Sequence, residues 1–130
     1  MKPVIIFILF LFSLNSCFIG ADTYEKSVND YFFLYSDTYK TDKVCLGTID
    51  YNYRIGDGYG CFIKKIGWDN FFLIYQTKQD KYFIQDLRQL KGKHPEEFKR
   101  YLYGPFNIKQ FELERGNLQV DKDLDFSISY

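Results

Sequence analysis

The residues Phe71-Phe72-Leu73-Ile74-Tyr75 form the apolar run that decides the fold. Polar turn signals bound it on both sides, Trp68-Asp69-Asn70 before it and Lys78-Gln79-Asp80 after it. A second run, Lys81-Tyr82-Phe83-Ile84-Gln85-Asp86, follows the second turn directly. Short aromatic and β-branched runs separated by a few polar residues are typical of antiparallel strands. The sequence therefore predicts consecutive paired strands over residues 71–86.

Upstream of these strands the pattern again predicts β-structure. Apolar and polar side chains alternate with a period of two over residues 44–54, which gives a strand one apolar face. Gly56-Asp57-Gly58 is a turn signal, and residues 59–66 are a further strand candidate. Tyr31-Phe32-Phe33-Leu34-Tyr35 predicts an earlier strand. Short strands at this spacing predict an antiparallel meander.

Downstream the period changes to that of a helix. Pro95 suits the first position of a helix, and Gly104 with Pro105 predicts its end. Asn107 is expected to cap a second helix, with Gln110 completing a capping box. The sequence therefore predicts one or two short helices near residues 95–115.

The last segment, residues 118–130, alternates apolar with acidic or serine residues and predicts a C-terminal strand with one solvated face. The predicted fold class is α+β, a small antiparallel β-sheet or meander with those short helices. A length of 130 residues allows one domain, which we place at residues 24–130. Seventeen basic residues balance seventeen acidic residues, so no excess of positive charge favours nucleic acid as a partner.

The first residues have the pattern of an export signal. Lys2 supplies a positive charge, and Val4–Phe12 is an unbroken apolar run. That run is shorter than the roughly 20 apolar residues a membrane-spanning helix needs. Leu14-Asn15-Ser16-Cys17 resembles the bacterial lipobox, in which an aliphatic residue precedes an invariant cysteine by three positions. The alternative is an ordinary signal peptide with an unrelated cysteine near its cleavage site.

The lipobox resemblance implies that residues 1–16 are removed and that Cys17 carries the acyl chains, palmitate among them, at the new N-terminus. The bilayer is then a partner through acylated Cys17, since two or more chains give stable anchoring. Residues 17–23 become the lipidated end and a tether. In the best-known sorting rule an Asp after the cysteine retains lipoproteins in the inner membrane. By that resemblance Phe18 favours the outer membrane in a cell envelope that has one.

Cys45 and Cys61 remain as an even pair. Outside the cytoplasm such a pair predicts a disulfide, which would contribute roughly 3 kcal/mol by closing a short loop. Two buried free thiols are the alternative. A tight turn at Asp57-Gly58 would place Cys61 opposite Arg54, so either the turn is centred nearer Tyr53 or the disulfide joins strands that are not paired.

Aromatic residues make up 21% of the chain, with 12 Tyr and 14 Phe. One interpretation is core packing combined with β propensity. The other is an exposed aromatic platform that binds sugars or a protein. The candidate binding aromatics are Tyr51, Tyr53, Tyr59, Trp68 and Tyr75.

A family resemblance extends over about residues 62–120. Small bacterial lipoproteins known only as a domain of unknown function share its elements. These are Trp68-Asp69, the aliphatic strand Phe72-Leu73-Ile74, Tyr82-Phe83-Ile84, Gly104-Pro105-Phe106 and Phe111. The resemblance implies a lipoprotein with a mixed β fold, and it implies no particular activity.

The residues that would carry catalysis are sparse. The single histidine, His94, stands at a predicted helix entrance, and the sequence has no C-x-x-C and no nucleophile motif paired with a base. Asp121, Asp123 and Asp125 share one strand parity but match no calcium loop, and we interpret them as a solvated face. The sequence therefore predicts no cofactor, no metal and no catalytic residue.

These observations predict a non-enzymatic, membrane-anchored envelope lipoprotein that acts as a structural or binding module for an envelope protein or glycan. One alternative is an inhibitor or immunity protein, in which a loop at residues 56–60 would plug the active site of an envelope-attacking enzyme. The other alternative is a glycan-binding module, which requires two or three of the candidate aromatics to be exposed and coplanar.

Overall fold

The computed structural model describes residues 23–36 and 41–130, so the predicted signal peptide and Cys17 lie outside the described residues. The first sheet follows chain order and contains β1 (Tyr24–Ser27), β2 (Phe32–Ser36), β3 (Cys45–Asp50) and β4 (Tyr53–Gly60). The second sheet has the order β8-β7-β6-β5-β9 and contains β5 (Ile63–Trp68), β6 (Phe72–Thr77), β7 (Tyr82–Asp86), β8 (Leu102–Phe106) and β9 (Ile128–Ser129). All strand pairs are antiparallel.

The helical elements are two 3₁₀ segments, Thr41–Lys43 and Pro95–Tyr101, and the α-helix α1 (Ile108–Asn117). Strands joined in antiparallel order with short helices confirm the predicted α+β class. No helix within the described ranges has the length and apolarity needed to cross a bilayer.

Strand β6 is the middle of the molecule. Leu73 and Tyr75 point into a core that the two sheets share, whereas Phe72 and Ile74 point into a second core. The second core includes Phe111 of α1, so the layers are sheet, sheet and helix. A strand buried on both faces has no polar side, which explains why the sequence here is a continuous apolar run.

The predicted pairing of residues 71–86 is confirmed, with Ile74 opposite Ile84. The turn before β6 is built by Asp69, whose Oδ1 accepts hydrogen bonds from the N–H groups two and three residues later, both at 2.8 Å. Asn29 builds the turn before β2 in the same way, with both bonds at 2.9 Å. In each case the side-chain oxygen accepts the hydrogen bonds that a backbone carbonyl would accept in a turn, and so it forms the turn between two paired strands.

The prediction of a turn at Gly56-Asp57-Gly58 is wrong, because those residues lie within β4. The turn occurs earlier, at Tyr51-Asn52, and Asp50 pairs with Tyr53. The pairing then shifts, with Thr48 opposite Ile55 but Leu46 opposite Gly60. Strand β4 therefore carries an irregular insertion of several residues, a bulge that sequence periodicity does not reveal.

This register brings Cys45 and Cys61 together. They form a disulfide with a Cα–Cα distance of 4.0 Å, next to the Leu46–Gly60 pair. The turn therefore lies nearer Tyr53, as the first of the two sequence-based alternatives required, but it is not a longer loop, because the extra residues lie in the β4 bulge.

The predicted strand over residues 59–66 is interrupted. Strand β4 ends at Gly60 and β5 starts at Ile63, because Phe62 adopts a positive φ of 58° and redirects the chain into the second sheet. The Ile63 N–H then donates to the Val44 carbonyl at 3.1 Å, which links the two sheets.

The helix predicted from Pro95 exists as a 3₁₀ helix that buries Phe98. The prediction that Gly104 and Pro105 end it is wrong, since the helix stops at Tyr101 and both residues belong to β8. Strand β8 forms because β7 offers an open edge to which residues 102–106 pair.

The capping box is confirmed. The Gln110 N–H donates to Asn107 Oδ1 at 2.9 Å, and the Asn107 N–H donates to Gln110 Oε1 at 3.0 Å. Helix α1 includes Gly116 and ends one residue later, at Asn117.

The predicted terminal strand is confirmed only at Ile128–Ser129, which pairs with β5. Over residues 118–127 the prediction is wrong. Val120 and Leu124 are buried against α1 and the second face of β6, so this stretch closes a core in turns instead of extending as a strand.

Candidate binding site at the hairpin tip

The five candidate aromatics separate into three groups by exposure. Tyr51 and Tyr53 are 81% and 78% exposed, whereas Tyr59 and Tyr75 are buried. Trp68 is half-buried and packs against the shared core. The five residues therefore do not form one platform, and a surface ligand can reach only the pair at the β3–β4 turn and the free edge of Trp68.

Both buried tyrosines lie in the core between the two sheets, and Tyr59 forms a hydrogen bond from one sheet to the other. The Tyr59 hydroxyl donates to Gln85 Oε1, and Gln85 Nε2 donates in turn to the Phe98 carbonyl at 3.1 Å. The Tyr75 ring stacks on Phe83 with centroids 4.7 Å apart. Burial raises the pKa of both tyrosines well above its usual value, because a phenolate would lose its hydration.

The exposed pair lies on the β3–β4 turn. Tyr51 and Asn52 have φ values of 46° and 71°. Positive φ at both central residues is what a two-residue hairpin requires, and Asn or Gly normally supplies it. Asn52 fits that rule, but an aromatic residue at Tyr51 is disfavoured by about 1–2 kcal/mol relative to an ordinary conformation.

His94 completes the tip. The 3₁₀ helix that it precedes places its ring beside Tyr51, edge to face, with centroids 6.1 Å apart. Its Nδ1 lies 4.0 Å from Asp50 Oδ1, and its backbone N–H donates to Glu97 Oε2 at 3.1 Å. We call Asp50, Tyr51, Tyr53 and His94 the tip cluster.

The chemistry available to the tip cluster is that of contact and hydrogen bonding. It presents two phenols, an imidazole and a carboxylate on a projecting turn, and the His94 side chain is 58% exposed. A histidine beside a carboxylate also occurs in catalytic sites, but those are clefts that exclude water and hold a reacting atom near both groups. The tip cluster instead resembles the centre of a protein interface, where tyrosines are enriched.

The glycine-rich segment, residues 56–60, lies within strand β4 and stabilises its bulge. Asp57 Oδ2 accepts a hydrogen bond from the buried Thr48 hydroxyl at 2.8 Å, which holds the bulge against the sheet. Gly58 has a φ of 64°, a conformation that glycine adopts without steric cost. An open depression of about 430 Å³ lies beside this segment and the disulfide. That hydrogen bond holds the segment against the first sheet, and the inhibitor alternative, in which the segment plugs an active site, stays a prediction.

A second depression, of about 390 Å³, lies beside Trp68, and Asp121, Asp123 and Asp125 also line it. Across residues 23–36 and 41–130, no three His, Cys, Asp or Glu side chains group so as to hold a metal ion. The exposed Phe71 lies over an adjoining depression, and Arg88 stacks on the Phe72 ring at 4.7 Å. Sequence reasoning did not identify this surface, because it joins segments 50 residues apart that no local pattern links.

Comparison with protein-family models, with curated proteins and with solved structures finds no match to this chain. The resemblance to small bacterial lipoproteins therefore stays a prediction, and the site must be interpreted from its own chemistry.

Proposed function

We propose that this chain is an exported, lipid-anchored envelope protein that binds a protein partner through the tip cluster and catalyses no reaction. The lipobox residues Leu14–Cys17 and the apolar run before them support the anchor. The Cys45–Cys61 disulfide supports export, because disulfides persist in oxidising compartments.

The observation that carries the proposed binding is the exposure of Tyr51 and Tyr53 on one projecting turn. Tyrosine is among the residues that dominate the energy of protein interfaces, since its ring buries a large area and its hydroxyl still finds a partner. Tyr51 also occupies a backbone conformation that disfavours it, and strain of this kind is a pointer to function.

The geometry of the first sheet supports a binding surface that is remote from the proposed lipid anchor. Tyr24 lies opposite Ser36 and Tyr35 lies opposite Cys45, so β1 begins beside the start of β3. The tip lies beyond the other end of β3, which has 6 residues and is therefore about 20 Å long. A chain tethered ahead of Tyr24 would hold the tip cluster away from the bilayer, where a partner can reach it.

The test is site-specific photo-crosslinking in the bacterial cell that produces the full-length protein. Benzoylphenylalanine replaces Tyr51 in one strain and Leu113, an exposed residue on α1, in the control strain. We expect a discrete protein adduct from position 51 that disappears when Tyr53→Ser and His94→Ala are added, and no such adduct from position 113.

Equal adducts from both positions, or none from position 51, would contradict the proposed interface. An adduct between position 51 and a glycan polymer would favour the glycan-binding alternative. A protein adduct that proves to be a hydrolase would identify the inhibitor or immunity role.

A further inference from the structure

The end of the molecule opposite the tip carries a second exposed aromatic residue. Phe62 is 47% exposed and has a φ of 58°. A bulky residue with positive φ is an outlier, because the left-handed region is normally left to Gly, Asn or Asp. At a surface bend a polar residue would serve the chain equally well, so an apolar ring in this conformation and in contact with water points to a role beyond the bend.

One lysine lies over this ring, and three others lie at the same end of the second sheet. Lys43 Nζ lies 5.6 Å from the Phe62 ring centroid, and the Lys78 N–H donates to the Phe62 carbonyl at 2.8 Å. Lys64 and Lys81 lie in the same end of the second sheet, beside the β6–β7 turn. We call these five residues, Lys43, Phe62, Lys64, Lys78 and Lys81, the basal face.

The basal face has an excess of positive charge in a chain whose formal net charge is zero. Among the described residues, Asp42, Asp57 and Asp80 lie near these lysines. The backbone carbonyl of Asp42 accepts a hydrogen bond from Lys78 Nζ at 3.0 Å, Asp57 lines the same depression as Lys43, and Asp80 pairs with Lys64 at 3.3 Å. Four lysines against three aspartates leave one uncompensated positive charge. Lysines near an anionic lipid surface each contribute about 1 kcal/mol of attraction.

The basal face lies where the anchored chain would enter the domain. The Tyr24 and Tyr130 hydroxyls are hydrogen-bonded at 2.5 Å, and the Tyr130 N–H donates to the Lys64 carbonyl at 2.8 Å. From Cys17 to Thr23 the chain can span at most about 20 Å, since an extended residue advances about 3.4 Å. A tether of that reach keeps this end of the domain near the headgroups.

We infer that the basal face rests on the anionic headgroups of the anchoring bilayer, with Phe62 inserted at the interface between water and acyl chains. This inference depends on the proposed lipid anchor and adds an orientation to it. An aromatic ring among lysines suits that interface, because the ring occupies its apolar side while the ammonium groups stay among the phosphates.

The test uses the full-length lipidated protein, purified from membranes and reconstituted into vesicles. The vesicles contain phosphatidylcholine and phosphatidylglycerol with brominated acyl chains, which quench nearby tryptophan. Phe62→Trp places a probe on the basal face, and Phe71→Trp places a matched probe at another exposed aromatic position, at the opposite end of the β5–β6 pair. The signal of the parent protein, which contains Trp68, is subtracted from both.

We expect the tryptophan at position 62 to shift to shorter wavelength and to be quenched several-fold more than the one at position 71. The quenching should fall in pure phosphatidylcholine vesicles and in the Lys43→Gln, Lys78→Gln, Lys81→Gln triple variant. That variant changes exposed side chains, so it tests the face without depending on how well the Phe62 substitution folds.

Three results would overturn the inference. Equal, weak quenching at both positions in protein that floats with the vesicles would reject the lipid contact and leave the anchor standing. Failure of the wild-type protein to float would reject the anchor, and the orientation with it. A wavelength shift at position 62 that depends on protein concentration in detergent alone would assign the basal face to a second copy of the chain.

Discussion

Each end of the molecule carries an exposed aromatic residue with a positive φ, but the surroundings of the two residues differ. Tyr51 at the tip and Phe62 at the base are both aromatic, exposed and in left-handed backbone. At the other non-glycine positions with positive φ among the described residues, the side chains are polar, namely those of Asn52, Asp80 and Gln119. The two aromatics therefore differ in chemistry from the other residues in this conformation, and each lies where we propose a contact.

The neighbours of each aromatic residue distinguish the ends. Asp50 and His94 accompany Tyr51 and offer hydrogen bonds in several directions, which suits a protein surface. Lysines accompany Phe62, which suits headgroup phosphates. This difference is the basis of our two proposals, that one end binds a protein partner and that the other end rests on lipid.

The largest effect expected on this comparison comes from the disulfide, which braces the basal end only. Replacing Cys45 and Cys61 together with Ala should lower the free energy of unfolding by roughly 3 kcal/mol, because the unfolded chain regains the entropy of an open loop. Urea denaturation of oxidised wild-type and variant protein measures it. Since the disulfide is remote from the tip, crosslinking from position 51 should persist in folded variant protein, and its loss there would mean that the two ends are coupled.

A buried and an exposed tyrosine of strand β4 give the next contrast. Tyr59→Phe removes the donor to Gln85 and leaves a buried acceptor unsatisfied, so we expect a loss of about 1–3 kcal/mol in unfolding free energy. Tyr53→Phe, at a side chain 78% exposed, is the control and should change stability by less than about 0.5 kcal/mol. Comparable losses in the two variants would mean that Tyr53 is not free for a partner.

The two buried tyrosines should make the free energy of unfolding depend on pH in the alkaline range. Burial raises the pKa of Tyr59 and of Tyr75, so above the ordinary tyrosine pKa of about 10 the unfolded chain releases protons that the native protein retains. Stability is then fully present below pH of about 10 and falls as pH rises, by about 1.4 kcal/mol per pH unit for each buried tyrosine. Denaturation at a series of pH values measures how steeply the free energy of unfolding falls with pH. Tyr75→Phe should reduce that slope by the contribution of one proton, about 1.4 kcal/mol per pH unit. An unchanged slope in that variant would contradict the assignment.

The smallest expected effects on stability come from relieving the backbone strain at Tyr51 and Phe62. Tyr51→Asn should raise the unfolding free energy by roughly 1 kcal/mol, because Asn adopts positive φ more readily than Tyr. Phe62→Asn should give a smaller gain, since Phe62 is only 47% exposed and its buried part is lost. Thermal or urea denaturation measures both. A destabilised Tyr51→Asn protein would show that the residue is kept for folding and would remove this support for the interface.

The elements that sequence reasoning predicted have local causes. The run at residues 71–75 and the capping box at Asn107 depend on side chains close in sequence, and both are confirmed. Strand β1 was missed because its residues are polar and mostly exposed, since it is an edge strand. The chain beyond residue 118 alternates like a strand but packs in turns, since α1 needs Val120 and Leu124 to close its core.

The candidate site was only partly predictable for a related reason. The sequence identified Tyr51, Tyr53, Tyr59 and Tyr75 together, and the difference in exposure between Tyr53 and Tyr59 on one strand depends on the β4 bulge. The size of a bulge is set by tertiary packing, here the Thr48–Asp57 hydrogen bond and the disulfide. Phe62 escaped notice because nothing in a linear pattern marks a positive φ at an aromatic residue.

The most direct test of the central claim is mass spectrometry of the mature protein from the membrane fraction. The lipid anchor predicts an N-terminal peptide that begins at Cys17 and carries a diacylglyceryl group on its sulfur, and a Cys17→Ala protein that is no longer processed there. A mature protein that begins at another residue, or whose Cys17 is unmodified, would contradict the anchor and the orientation that depends on it.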